Sequence, residues 1–233
     1  MTRIVVTEIT RFANKDIVCS AGIDTESGRC YRPIPYLNSA RCRELGMVPG
    51  AVLSGRFAPS PEVAEPHVED SSYEDLRFHG HCSNDEFGDV LDKNAVESVE
   101  EGFGINLQTA EKCIEPGLRP RRSLITLRVD PRTVSIVPDQ YNEANVKAHF
   151  TDGAGRKFRF LTVTDLGVND LVGRIGGATV CAERQRIFRQ QPDVYIRLGL
   201  SRHYQAPNGR AGYWLQVNGI YSFPEFYRPA REY

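Results

Sequence analysis

The stretch Tyr195–Phe223, YIRLGLSRHYQAPNGRAGYWLQVNGIYSF, constrains the fold more than any other part of the chain. Two strand-like runs flank a loop whose tip reads Pro207-Asn208-Gly209, and Asn-Gly suits a tight turn because both residues tolerate positive φ. In the first run Val194, Ile196, Leu198 and Leu200 alternate with Tyr195, Arg197, Gly199 and Ser201. In the second, Tyr213, Leu215, Val217 and Tyr221 alternate with Trp214, Gln216, Asn218 and Ser222. The alternation predicts a hairpin with one apolar face. Its other face carries an aromatic ring, a cation and amides, the side-chain types that stack on bases and bond their edges.

Upstream, short period-2 runs recur between Gly and Pro breaks. Arg3–Ile9, Asp16–Ile23, Arg29–Ile34 and Ala51–Phe57 read as strands, and Arg41–Leu45 as a helical turn. Pro59–Pro66 is a Pro- and Glu-rich connector, and Asn84–Gly104 changes to helical spacing. Asn94-Ala95-Val96-Glu97 has the form of a capping box. Further strands are expected at Ser123–Val129, Thr133–Val137 and Arg156–Val163, then a short helix from Thr164 to Val172 that Gly173–Gly177 ends. The aromatic tail Pro224–Pro229 is expected to pack across a barrel end. The reading is a mainly β protein whose helices lie at Asn84–Phe103 and Thr164–Val172.

Charge divides the chain. Residues 1–118 hold 11 Lys+Arg against 20 Asp+Glu, whereas residues 119–233 hold 18 against 10. Thirteen of the acids fall between Glu62 and Glu101. A basic half suits a polyanion partner, while the acidic 62–101 segment offers a protein-binding surface, and mutual attraction of the halves explains the same imbalance equally well. Arg119-Pro120-Arg121-Arg122 is a compact basic turn at the junction. No apolar run reaches the length of a membrane span, and the start MTRIVVTEITRF lacks a leader's continuous apolar segment. Six scattered cysteines without CxxC spacing read as reduced thiols in a cytoplasmic protein.

Chemistry-bearing motifs are sparse. Gly173-Arg174-Ile175-Gly176-Gly177 lacks the Lys-Ser/Thr of a phosphate loop. The cluster His67, Glu69, Asp70 and the run His79-Gly80-His81-Cys82 match no zinc-ligand spacing, so neither metal nor cofactor is expected.

Two segments carry a family likeness. Cys19-Ser20-Ala21-Gly22-Ile23-Asp24 with Gly28 and Arg32-Pro33, and Arg197-Leu198-Gly199-Leu200-Ser201-Arg202 with Trp214–Pro224, resemble the bacterial dual-OB domain proteins, as does the placing of Pro66–Asp70. The resemblance spans nearly the whole chain. It implies two small OB-like Greek-key barrels, residues 1–118 with an acidic helical insert at about 59–104, and a basic barrel at 119–233. By analogy it implies nucleic-acid or nucleotide binding.

On that reading Arg32, Arg197, Arg202 and Arg210 hold phosphate, Tyr31 and Trp214 stack, and Gln216 and Asn218 read base edges. For Trp214, closing the core is the slightly favoured role, because large aromatics dominate cores. An alternative is an enzyme acting on a nucleotide or nucleic acid, with His67, Glu69, Asp70, Arg32 and Arg202 converging between the barrels. A third is an interaction subunit of a larger complex.

Overall fold

The computed structural model describes residues 1–225 apart from 13, 62 and 110. The first half comprises β1 (Thr2–Arg11), β2 (Ile17–Asp24), β3 (Cys30–Pro33), β4 (Leu37–Asn38), α1 (Ser39–Glu44), β5 (Ala51–Pro59) and β6 (Asp70–His81). Sheet order is β1-β5-β6-β3-β2-β4, and β1 also pairs with β2, so β1, β2, β3, β6 and β5 close a five-stranded barrel. All its contacts are antiparallel except β3–β6, where Arg32 pairs with Asp70 in parallel. The β-branched run of β1 is buried along both faces. Ile4, Val6 and Ile9 fill the barrel with Val18, Met47 and Leu53, while Val5 points the other way, into a cluster with Val52, Phe87 and Tyr221.

The chain continues through α2 (Asn84–Lys93), β7 (Ala95–Val96), α3 (Val99–Phe103), β8 (Cys113–Ile114), β9 (Leu124–Val129), β10 (Ser135–Pro138), β11 (Val146–Thr151) and β12 (Lys157–Val163). It ends in α4 (Leu166–Ile175), α5 (Gly177–Gln190), β13 (Asp193–Leu200), β14 (Tyr204–Gln205) and β15 (Ala211–Phe223). The second sheet runs β10-β11-β12-β15-β13-β9-β7, with β8 and β14 attached to β15. Among the described residues its ends, β10 and β7, do not pair. β7 and β8 belong to this sheet, so the structural division falls between β6 and β7, well before the charge break near residue 118. No helix among the described residues is long and apolar enough to cross a membrane.

The strands expected from alternation are present, and the hairpin forms the middle of the second sheet, with Gly209 at φ 84 in its turn. Three expectations need correction. The capping box is Ser83–Glu86 at the start of α2, and Asn94 instead ends that helix while Ala95 and Val96 form β7. Strand β6 lies inside the stretch read as an insert. Its sequence DSSYEDLRFHGH offers few apolar residues because much of its outer face is in water. Helix α5, the longest helix among the described residues, has no counterpart among the expected helices. Val180, Cys181 and Phe188 form its buried stripe together with Arg184, whose Nη2 donates to the Ile220 carbonyl at 2.7 Å. A buried arginine breaks the apolar period that would reveal the helix. The tail from residue 226 lies outside the described residues.

Candidate functional site

The two faces of β13 divide the hairpin's residues. Ile196, Leu198 and Leu200 enter the core of the second sheet, where Val163, Leu215 and Phe158 also pack. The opposite face, that of Tyr195, Arg197 and Gly199, is roofed by the first barrel. Tyr195, Tyr221 and Phe223 pack there with Val5, Phe87 and Leu91, and the Tyr221 hydroxyl donates to the Thr7 carbonyl at 2.7 Å. Arg197, expected on an open surface, is 2% exposed and donates to both Glu8 carboxylate oxygens at 2.7 and 2.9 Å, and to Thr126 Oγ1 at 2.8 Å. Asn218 is likewise enclosed. Its Oδ1 accepts from the Thr164 hydroxyl at 2.9 Å, and its amide fills the room that Gly199 leaves by lacking a Cβ. Alternation marked this face as distinct from the core and was silent about what covers it.

Arg32, His67, Glu69, Asp70 and Arg202 do meet, at the seam between barrel and second sheet. The parallel β3–β6 pairing sets Arg32 beside Asp70, and Arg32 Nε donates to Asp70 Oδ1 at 2.5 Å. Its Nη2 donates to His67 Nδ1 at 3.0 Å and to the Ser123 hydroxyl at 3.1 Å. Arg202 donates to Asp70 Oδ2 at 2.7 Å and to the Tyr36 hydroxyl at 3.1 Å, and its side chain is 48% exposed. Glu69 accepts from Ser123 N, Ser123 Oγ and Leu124 N at 2.7–3.0 Å. Arg32, Glu69, Asp70 and Arg202 each tie one half of the chain to the other.

Because guanidinium only donates, His67 Nδ1 accepts and the ring proton sits on Nε2. That nitrogen is buried without a hydrogen-bond partner among the described residues. Burial, then Arg202 and Arg32, push the His67 pKa down to about 3, so the ring is neutral. Burial also raises the neighbouring thiols, Cys19 to about 11 and Cys30 to about 12, far from thiolate reactivity. Among the described residues no group of three His, Cys, Asp or Glu is arranged to hold a metal.

Beyond the barrel's cover, the same sheet face reopens as a groove of about 410 Å³. Trp214 and Gln216 line it with Phe160, Tyr204, Thr162, Lys112 and Lys147. Phe160 is 51% and Tyr204 55% exposed. The Trp214 indole donates to the Tyr204 carbonyl at 3.2 Å, and its backbone N–H to Ser201 Oγ at 2.9 Å, so the ring is fixed in the wall of the groove. Trp214 therefore faces an open hollow rather than closing the core. Phe160 sits at φ 56, a left-handed backbone rarely used by an aromatic residue, which turns its ring outward under the Lys112 ammonium at 5.3 Å. Partial burial and Lys147 hold Lys112 below its ordinary pKa, the mark of two cations converging on one space. Thr162 also lines a second hollow of about 560 Å³ that carries Arg11, Phe12, Lys15 and Arg43. Phe12 packs on Tyr36 at 4.7 Å between ring centroids, and Tyr36 receives Arg202.

Arg210, on the hairpin loop, pairs with Glu111 and donates to the Cys113 carbonyl at 3.4 Å. Tyr31 packs on Phe57 at 5.0 Å, with Arg29 over its ring at 5.1 Å. Sequence reasoning missed Phe160, Tyr204, Lys112 and Lys147. Phe160 falls within the expected Arg156–Val163 strand, and its positive φ leaves no trace in a single sequence. Comparison of the chain with protein-family models and with curated proteins finds no match.

Proposed function

We propose that this chain binds single-stranded nucleic acid along the groove walled by Phe160, Tyr204 and Trp214. The observation that carries the reading is the exposure of two aromatic rings beside a third, with the Lys112 ammonium over one of them, on an open sheet face. Bases stack on such rings whatever their identity, each worth about 1–3 kcal/mol, while cations follow the backbone. On this reading Gln216 in the groove wall meets base edges and Lys112 takes phosphate, with Lys147 beside it exchanging its pairing with Asp139 and Arg202 reaching in from the seam. The adjoining hollow with Phe12, Lys15 and Arg43 extends the path through Thr162. The ring order β1-β2-β3-β6-β5 with one parallel contact supports an OB-like reading of the first barrel, a fold that often holds single strands.

The enzyme reading has less support. Both Glu69 oxygens and both Asp70 oxygens are occupied by partners within the chain. The acidic segment is similarly committed in part: Glu74 and Asp75 pair with Arg56, Glu86 caps α2, and Glu100 pairs with Arg156. Binding of a labelled single-stranded oligonucleotide to wild type and to Tyr204→Ala, across a salt series, tests the proposal. Weaker binding of the variant with unchanged unfolding supports it, and wild type that fails to bind at low salt refutes it.

A further inference from the structure

On another side of the seam lies a cleft of about 390 Å³ whose lining shares no residue with the groove. Arg29, Arg121 and Arg122 line it, all three exposed, and among the described residues none forms an ion pair. Arg197 also borders it, but its charge is matched by Glu8. The one carboxylate in the lining, Glu69, is taken up by Ser123 and Leu124. Three positive charges without a carboxylate partner therefore line one opening. Arg121 is held in place: its N–H donates to the Phe103 carbonyl at 2.8 Å, and its stem lies across Gly104, where a Cβ would collide with it. Ser27, Asn94 and Thr126 add polar groups to the wall, and one patch of it is apolar. Val68 is 40% exposed there, beside Val96 and Ile125. Guanidinium forks suit phosphate oxygens, and an apolar patch suits a planar or aliphatic body.

We propose that this cleft is a second site, one that takes a nucleoside di- or triphosphate, with Arg121 and Arg122 on the phosphates and Val68 and Val96 against the base. The site is independent of the groove. Calorimetric titration of ADP, ATP, inorganic pyrophosphate and a 5′-phosphorylated oligonucleotide into wild type, the Arg121→Ala/Arg122→Ala double variant and Phe160→Ala tests it. The expected result is nucleotide binding that the double variant weakens by about tenfold or more. Phe160→Ala leaves nucleotide affinity unchanged, and pyrophosphate binds more weakly than ADP because it lacks the part that rests on the valines. Both arginines are exposed, so urea unfolding of the double variant should match wild type and separate binding from folding. Absence of heat with either nucleotide at ~1 mM and low salt overturns the proposal. So does equal affinity in the double variant, or a double variant that loses the oligonucleotide while keeping ADP.

Discussion

The Arg197 guanidinium meets the Glu8 carboxylate through two hydrogen bonds, 2.7 and 2.9 Å long, across the seam between barrel and second sheet. Both side chains are almost wholly buried. Truncating one member leaves the other charged and enclosed, so Arg197→Ala should destabilise by about 3–5 kcal/mol. Replacing both, Arg197→Met with Glu8→Leu, should cost much less. Urea unfolding of the three proteins decides it. A loss below ~1 kcal/mol for Arg197→Ala would show that the seam is not held by this pair.

His67 gives the fold a dependence on acid. Its ring stays neutral to about pH 3 in the folded protein, against an ordinary value of 6.5. Between those values the unfolded chain binds the additional proton, so its contribution to stability is present above 6.5 and fades as pH falls. The loss is about 1.4 kcal/mol per pH unit for this group. Stability measured from about pH 7 to 4 should fall more steeply in wild type than in His67→Gln. Parallel profiles would contradict the buried neutral ring.

Phe160 holds its backbone at φ 56 and its ring in solvent. Phe160→Asn accepts that backbone more readily, which relieves strain of about 1 kcal/mol or more and offsets the lost ring contacts. Unfolding free energy should change by less than about 1 kcal/mol while oligonucleotide binding weakens by about 1–3 kcal/mol. A large loss of stability with intact binding would make Phe160 a packing residue.

Arg202 follows Ser201 at the end of β13 and is half in solvent while tied to Asp70. Arg32 keeps Asp70 paired when Arg202 is cut back, so Arg202→Ala should cost only about 1–2 kcal/mol of stability. Loss of one phosphate contact should lower the slope of log affinity against log salt by about 0.7. An unchanged slope would confine Arg202 to bracing the seam.

The hairpin was legible because Val194 to Leu200 and Tyr213 to Val217 keep period 2, and Asn208-Gly209 marks the turn. A register shift at Arg197/Leu198 brings Ile220 to the core and puts Tyr221, expected on the core face, under the barrel. The convergence of Arg32, His67, Asp70 and Arg202 was legible as a question only. Their sequence separation is long, and a parallel β3–β6 contact brings them together. Arg197 misled because an arginine on the non-core face of a strand reads as exposed unless a second layer is known to cover it. Helix α5 was hidden by Arg184 in its buried stripe. The groove was half legible: Trp214 and Gln216 belong to the alternation, whereas Phe160 depends on a backbone angle and Tyr204 on a two-residue strand, β14, that pattern alone does not mark.

Trp214 is the one tryptophan of the chain, so its fluorescence reports the groove directly. Titrating a short single-stranded oligonucleotide at low salt should quench that emission to saturation. The affinity should fall with salt by about 0.7 log units per log unit for each phosphate engaged. Emission that stays constant at low salt, while the protein remains folded, would contradict the placing of nucleic acid in this groove.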